Sequence, residues 1–409
     1  MEKPIAAIEL GSKKAKLVVG YELNGKPHVL YTLVKPYGGQ MIENGNFMDF
    51  NKVIGAITGL TSLVDPSVKL KLNISDIILS LPPYGLDVLR TRQTTGTTSE
   101  DAKISNFDIK NLYSIIRNCN PGSNNALVDI VPHTFILDQG RSFRNAPIGE
   151  SSRTLTIVAN VHSLPKNIVS DYTNVIQHAR MSVRRKIIST FAAKELLSTD
   201  STIPQNYWLV DIGSNTCTLS LIGNKELFSS TSFDWGGDNI TQKIVASFNI
   251  NEADAEKYKI TYGIDKQILN FKAPVCVTTS PEGEEIKHYT NELNQIIYDE
   301  LDTFIEKLNK AFDELLVGLK TQYKTLPLVL IGGGSRLHGL VDYIQPKLQN
   351  EKIQLYCPSV LGARNATFTN CLGMILVCSK YPTMFDDNSR SRVGPLTRES
   401  LIISDEDDK

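Results

Sequence analysis

Ile8-Glu9-Leu10-Gly11-Ser12-Lys13-Lys14-Ala15-Lys16-Leu17 and Val210-Asp211-Ile212-Gly213-Ser214-Asn215-Thr216-Cys217-Thr218-Leu219 are two versions of one stretch, roughly two hundred positions apart. Each is an apolar strand, an acidic residue, an apolar residue, Gly-Ser, a polar turn and a second apolar strand. A strand–turn–strand of this kind offers backbone N–H groups and hydroxyls to a phosphate, and its carboxylate can hold a metal through water. Glycine lets the backbone approach without a Cβ in the way. One copy carries little, because acidic-x-Gly-Ser also occurs in ordinary hairpins. Two copies, each opening one half of the chain, have the organisation of a duplicated nucleotide-binding fold that clamps phosphates between its halves.

Two further stretches point the same way. Ile331-Gly332-Gly333-Gly334-Ser335 is a strand followed by a glycine turn, a backbone able to lie flat against an adenosine. Glu256-x-x-Lys259 places an acid and a base one helical turn apart on a shared face. The candidate nucleotide-binding residues are therefore Glu9, Gly11, Ser12, Lys13, Lys14 and Lys16 from the first turn, and Asp211, Gly213, Ser214, Asn215 and Thr216 from the second. Gly236, Gly237, Glu256, Lys259, Gly332, Gly333, Gly334 and Ser335 complete the set. Glu9 and Asp211 are the candidate metal residues, acting through water. No residue is placed as a general base, so no catalytic residue is assigned.

The bulk properties restrict the function classes. At 409 residues the chain exceeds one hydrophobic core, which predicts two lobes. With 43 Lys+Arg against 44 Asp+Glu there is no basic excess to advertise nucleic acid. Met1-Glu2-Lys3-Pro4 runs straight into a strand with no signal-peptide pattern, and the Cys371–Cys378 apolar run is too short to span a bilayer. The six cysteines form no C-x-x-C pair, which disfavours zinc or a disulfide framework and suits reduced thiols in the cytoplasm.

With these elements in place, the chain resembles the superfamily of actin, DnaK-type chaperones and sugar kinases. Within it, the chain resembles FtsA, the bacterial actin-like division family, over roughly residues 5–380. The resemblance is carried by Ile8 to Lys13, by Gly38-Gly39-Gln40-Met41-Ile42-Glu43-Asn44-Gly45, and by Val131-Pro132-His133-Thr134-Phe135-Ile136-Leu137-Asp138 with Asn145-Ala146-Pro147-Ile148-Gly149. Gly236-Gly237-Asp238-Asn239-Ile240-Thr241 and Ala255-Glu256-x-x-Lys259-x-x-Tyr262-Gly263 continue it. It implies an α/β, actin-like duplicated ribonuclease H-type fold, with two lobes around a nucleotide cleft and an inserted α+β subdomain 1C.

The expected organisation is 1–73 as the first part of subdomain 1A, 74–165 as 1C, and 166–200 as the return to 1A with the connecting helix. Residues 201–237 and 326–385 are then the two parts of 2A, 238–325 is 2B, and 386–409 is an acidic, disordered tail. The resemblance further implies ATP with Mg2+, self-association into filaments, binding of the C-terminal peptide of tubulin-like FtsZ through 2B, and later division proteins through 1C. The expected place is the cytoplasmic face of the membrane at the division site. A small-molecule kinase of the superfamily and a pilus-type actin-like adaptor are the alternatives.

Three departures refine these expectations. The first turn carries Glu9 where the superfamily usually has Asp, and Thr218 stands near where FtsA proteins usually have an acid. Both imply slow or absent ATP hydrolysis, since in-line attack needs a placed water. The tail carries seven acids and four bases over 386–409, not a basic amphipathic helix, which implies weak or indirect membrane contact.

Overall fold

Each repeated stretch starts a sheet, and the two sheets have the same order. In the computed structural model, which describes residues 4–60, 62–65, 70–118, 122, 124–264, 272–319, 321–381 and 401–403, Ile5–Leu10, Lys14–Leu23 and Lys26–Pro36 form an antiparallel run. Asp76–Leu81 then joins Ile5–Leu10 in parallel, and Ser182–Ile188 joins beyond it. The second sheet repeats this plan. Glu226–Phe233, Cys217–Gly223 and Tyr207–Ile212 are antiparallel, with Leu328–Ile331 and Ile353–Leu355 added in parallel.

Burial explains the strand choices. Asp76–Leu81 is buried over its last five residues, as expected of a parallel strand covered on both faces. This corrects one expected boundary: the strand begins the 74–165 segment in sequence but belongs to the first sheet, between Ile5–Leu10 and Ser182–Ile188. What stands apart is a four-stranded antiparallel sheet of Ser142–Phe143, Asn125–Leu137, Thr154–Pro165 and Asp87–Gly96. Helix Asn106–Asn118 covers it through Ile109, Leu112 and Ile116, which share a core with Leu155 and Ile157. Asp87–Gly96 lies along a stretch whose end, Thr94 onward, reads from sequence as a loop. Its alternating polar and half-buried residues suit an edge strand with one wet face.

The halves meet behind the sheets. Helix Ser189–Leu197, at the end of the first half, and helix Thr369–Lys380, at the end of the second, are buried almost all round. A Cβ on Gly373 would collide with the Ala192 backbone, so this glycine allows the two helices to touch. Arg185 is bonded to Asp129 at 2.8 Å, a buried ion pair that ties the separate four-stranded unit to the first sheet. Of the acidic tail, 386–400 and 404–409 lie outside the described residues, whereas Leu401–Ile403 forms a strand paired with 70–72. Among the described residues no helix is long and apolar enough to cross a membrane.

Candidate functional site

The two turns close in the same way. Gly11 N–H donates to the Lys14 carbonyl at 3.0 Å, and Gly213 N–H donates to the Thr216 carbonyl at 2.8 Å. Each turn is also backed by the chain that follows its third strand. Met41 N–H donates to the Ser12 carbonyl, while Gly237 and Asp238 N–H groups donate to the Gly213 and Ser214 carbonyls. The second turn thus holds the start of helix Gly237–Phe248. Gly236 is required there, because a Cβ would overlap the Ser214 backbone.

The acids at the heads of the turns converge. Asn370 Nδ2 donates to Asp211 Oδ2 at 3.0 Å and to Glu9 Oε1 at 3.2 Å, so one amide spans both halves. Lys16, opposite Glu9 in the strand ladder, donates to Glu9 Oε1 at 3.0 Å and to the Thr367 carbonyl at 3.3 Å. Burial disfavours the Lys16 charge, but Glu9 and Asp211 outweigh it and hold the ammonium above its ordinary pKa. Burial, and then Glu9, pushes the Asp211 carboxyl up, against the opposing pull of Lys16 and Asn370. The Cys371 thiol, in contact with Glu9 Oε2 at 3.8 Å, is raised by burial and by that carboxylate.

The glycine turn after Leu328–Ile331 lies directly on the second of these acids. Gly332 has φ +87°, and a Cβ there would overlap Asp211 Oδ1 and the Ile212 carbonyl. Ser335 is buried and donates its hydroxyl to the Gly332 carbonyl at 2.7 Å. Lys259 closes the other side. Its ammonium donates to the Gly237 carbonyl at 2.8 Å, to Thr241 at 2.8 Å and to Glu256 at 2.6 Å. Burial works against the Glu256 charge, yet Lys259 and Thr241 hold its carboxyl below the usual range.

Several side chains join the halves across the mouth of the cleft. Lys13 is bonded to Asp238 and, at 2.7 Å, to Glu252. Asn215 donates to Gln40 at 3.0 Å, and the Tyr84 hydroxyl donates to Thr216 at 2.8 Å. Lys14 is exposed beside them. A polar cavity of about 460 Å³ lies here, walled by Lys13, Gln40, Asn215, Asp238 and Glu252 among others. A larger cavity, about 840 Å³, lies between the four-stranded unit and helix Ser189–Leu197, and none of the candidate nucleotide residues lines it. Of the candidate residues only Lys13 and Asn215 line the smaller cavity, which marks the mouth; the cleft behind it is the better candidate site, because three glycine-bearing turns and two acids converge there.

The fold therefore gathers the three turns and the Glu256–Lys259 pair about one cleft. Asn370, Gln40, Asp238, Glu252 and Thr241 are the additions that sequence reasoning missed. Asn370 is 361 positions from Glu9, and no local pattern announces it. Asp238 had a faint signal, as the residue that follows Gly236-Gly237.

A metal held through water by Glu9 and Asp211 is the one expectation the donor set does not fit. A divalent cation needs oxygen lone pairs. Here the two carboxylates face an ammonium and an amide N–H group, and among the described residues no three His, Cys, Asp or Glu side chains gather as ligands.

Comparisons with known proteins agree with this architecture. A family model described as cell division protein FtsA matches residues 208–373. Cell division protein FtsA of Enterococcus hirae is 24% identical over 375 residues, covering 90% of this chain and 81% of that protein. The FtsA of Streptococcus pneumoniae serotype 2 is 23% identical over 369 residues, covering 90% and 78%. Among solved structures, the PilM-PilN type IV pilus biogenesis complex matches with a TM-score of 0.59 at 16% identity, over 91% of this chain and 97% of that chain. MreB5 of Spiroplasma citri bound to ADP matches with a TM-score of 0.52 at 12% identity, over 92% and 97%. These structural likenesses are of fold. The chain is thus similar in sequence to FtsA cell division proteins, most clearly over residues 208–373, and is built on an actin-like fold.

Proposed function

We propose that this chain binds ATP between its two halves and uses the bound nucleotide to assemble into filaments that serve cell division. The observation that carries the reading is the convergence of Glu9 and Asp211 on one amide, Asn370, beneath the Gly332 turn. That arrangement couples both halves to whatever lies in the cleft. The MreB5 structure bound to ADP, a fold relative, supports a nucleotide as the occupant. The phosphates would meet Ser12, Lys14 and the 213–216 turn, and the adenosine would lie against Gly332, Gly333 and Gly334, with Glu256 and Lys259 at its ribose.

Hydrolysis is slow or absent in this reading. Thr218 stands opposite Asp211, and its hydroxyl is already bonded to Ser232 at 2.9 Å. A threonine hydroxyl does not take a proton from an attacking water. The filament links the FtsZ C-terminal peptide, held by residues 238–325, to later division proteins held by the inserted unit. Membrane contact is weak or indirect, because the tail is acidic.

The test is sedimentation of the purified chain with and without ATP, alongside anisotropy of a labelled FtsZ tail peptide. ATP-dependent pelleting and saturable peptide binding are expected. Phosphoryl transfer from ATP to an added small acceptor, with neither pelleting nor peptide binding, would instead favour the kinase alternative.

A further inference from the structure

We infer that Lys16 takes the place of a divalent cation in this cleft, so that nucleotide binds here without a metal. The inference rests on the nucleotide reading above but concerns a different property of the site. Two carboxylates at the heads of equivalent strands repel each other and need a positive charge between the halves. A metal is one source of that charge, and a lysine placed on the neighbouring strand is another.

The register shows how the lysine comes to be there. Glu9 pairs with Lys16 in the first hairpin, as Asp211 pairs with Thr218 in the second. Directly opposed residues of an antiparallel pair have neighbouring side chains, so Lys16 reaches Glu9 from the adjacent strand. Its side chain is 15% exposed and that of Glu9 13%, so the pair is largely shielded from solvent. The ammonium is 3.0 Å from Glu9 Oε1 and 3.3 Å from the Thr367 carbonyl. Asn370 adds N–H groups to both acids. A second cation beside this ammonium would be repelled, and it would find Glu9 Oε1 and Asp211 Oδ2 already accepting hydrogen bonds.

Only the first copy carries a lysine at this position. Thr218, at the equivalent position of the second hairpin, is neutral and bonded away from Asp211 to Ser232. One lysine thus serves both acids, through contact with Glu9 and through its field at Asp211. The consequence is a cleft that does not respond to magnesium or to chelators. This suits a nucleotide used for assembly rather than for turnover.

The test has two arms, both on the full chain. In the first, a fluorescent ATP analogue is titrated in EDTA and again in millimolar MgCl2. Dissociation constants that agree within about twofold are expected, whereas Lys16→Met should bind at least about tenfold more weakly in EDTA than in magnesium. A wild-type affinity that falls by about tenfold or more in EDTA would overturn the inference. In the second arm, Mn2+ is titrated into the nucleotide-free protein and followed by electron paramagnetic resonance. No wild-type site is expected; Mn2+ binding that Glu9→Gln abolishes would overturn the inference. This arm decides the matter even if Lys16→Met does not fold. If the analogue binds in neither buffer, the nucleotide reading fails, and the Mn2+ arm still judges the role of Lys16.

Discussion

The first and second hairpins share a strand order, a turn and an acid, yet they neutralise that acid differently. Glu9 has a cation built into its own ladder partner, Lys16. Asp211 faces Thr218 and depends on groups from outside its hairpin, the field of Lys16 from the first copy and Asn370 from the distant helix Thr369–Lys380. The first copy is locally self-sufficient, whereas the second is completed by tertiary contacts. Duplication supplied the same backbone twice, and the side chains then diverged into a self-neutralised half and a dependent half.

The largest effect should come from disturbing what completes the second copy. Gly332→Ala introduces a Cβ into Asp211 and the Ile212 backbone at φ +87°, and should cost about 3 kcal/mol or more. Gly11→Ala in the first turn meets only the Lys14 carbonyl at 3.3 Å, and should cost about 1 kcal/mol or less. Paired urea melts check this, and equal losses would erase the asymmetry between the copies.

Next comes the ladder partner itself. Lys16→Met strands two buried carboxylates without a counter-charge and should cost about 3 kcal/mol, and adding Glu9→Gln should recover a large part of that. Thr218→Val loses one hydroxyl contact to Ser232 and should cost about 1 kcal/mol. A double-mutant cycle with no coupling between Glu9 and Lys16 would contradict the self-neutralised first copy.

A third measurement uses acid. Burial first, and Glu9 second, raise the Asp211 carboxyl, so the folded state holds this proton more tightly than the unfolded chain does. That contribution to stability is fully present below the unfolded value of about 4, and is lost as pH rises through the folded pKa. Melting temperatures of Asp211→Asn relative to wild type should therefore improve as pH rises from about 4 to 7. A difference that stays level across that range would mean that Asp211 is not under strain.

The smallest effect concerns the mouth of the cleft. Lys13→Ala removes bonds to Asp238 and Glu252 that cross between the halves, and should speed amide exchange at the start of helix Gly237–Phe248 by about two- to fivefold. Lys14→Ala, on an exposed neighbour, should leave that exchange unchanged.

Much of the fold is legible in the sequence. The repeat over 8–17 and 210–219 announces two hairpins, because strand alternation and a Gly-Ser turn are local properties. The cap of helix Phe50–Thr58 is equally local, since the Asp49 carboxylate accepts from Lys52 N–H at 3.0 Å, three residues on. Asp87–Gly96 was not legible, because its polar face copies a loop and only pairing with Thr154–Pro165 reveals it. The expected boundary at residue 74 separates Asp76–Leu81 from the sheet it joins, since an apolar run names no neighbour.

The candidate site divides along the same line. By itself the sequence determined the turns, the acids at their heads and the glycines that let backbone approach backbone, because these are written in consecutive residues. Tertiary contacts alone turn the Lys16 charge onto Glu9, bridge Glu9 and Asp211 through Asn370, and set hydrogen-bond donors against both acids. Such choices depend on which side chains meet in a desolvated space. They are set by burial and distance between segments hundreds of residues apart, which no local pattern encodes.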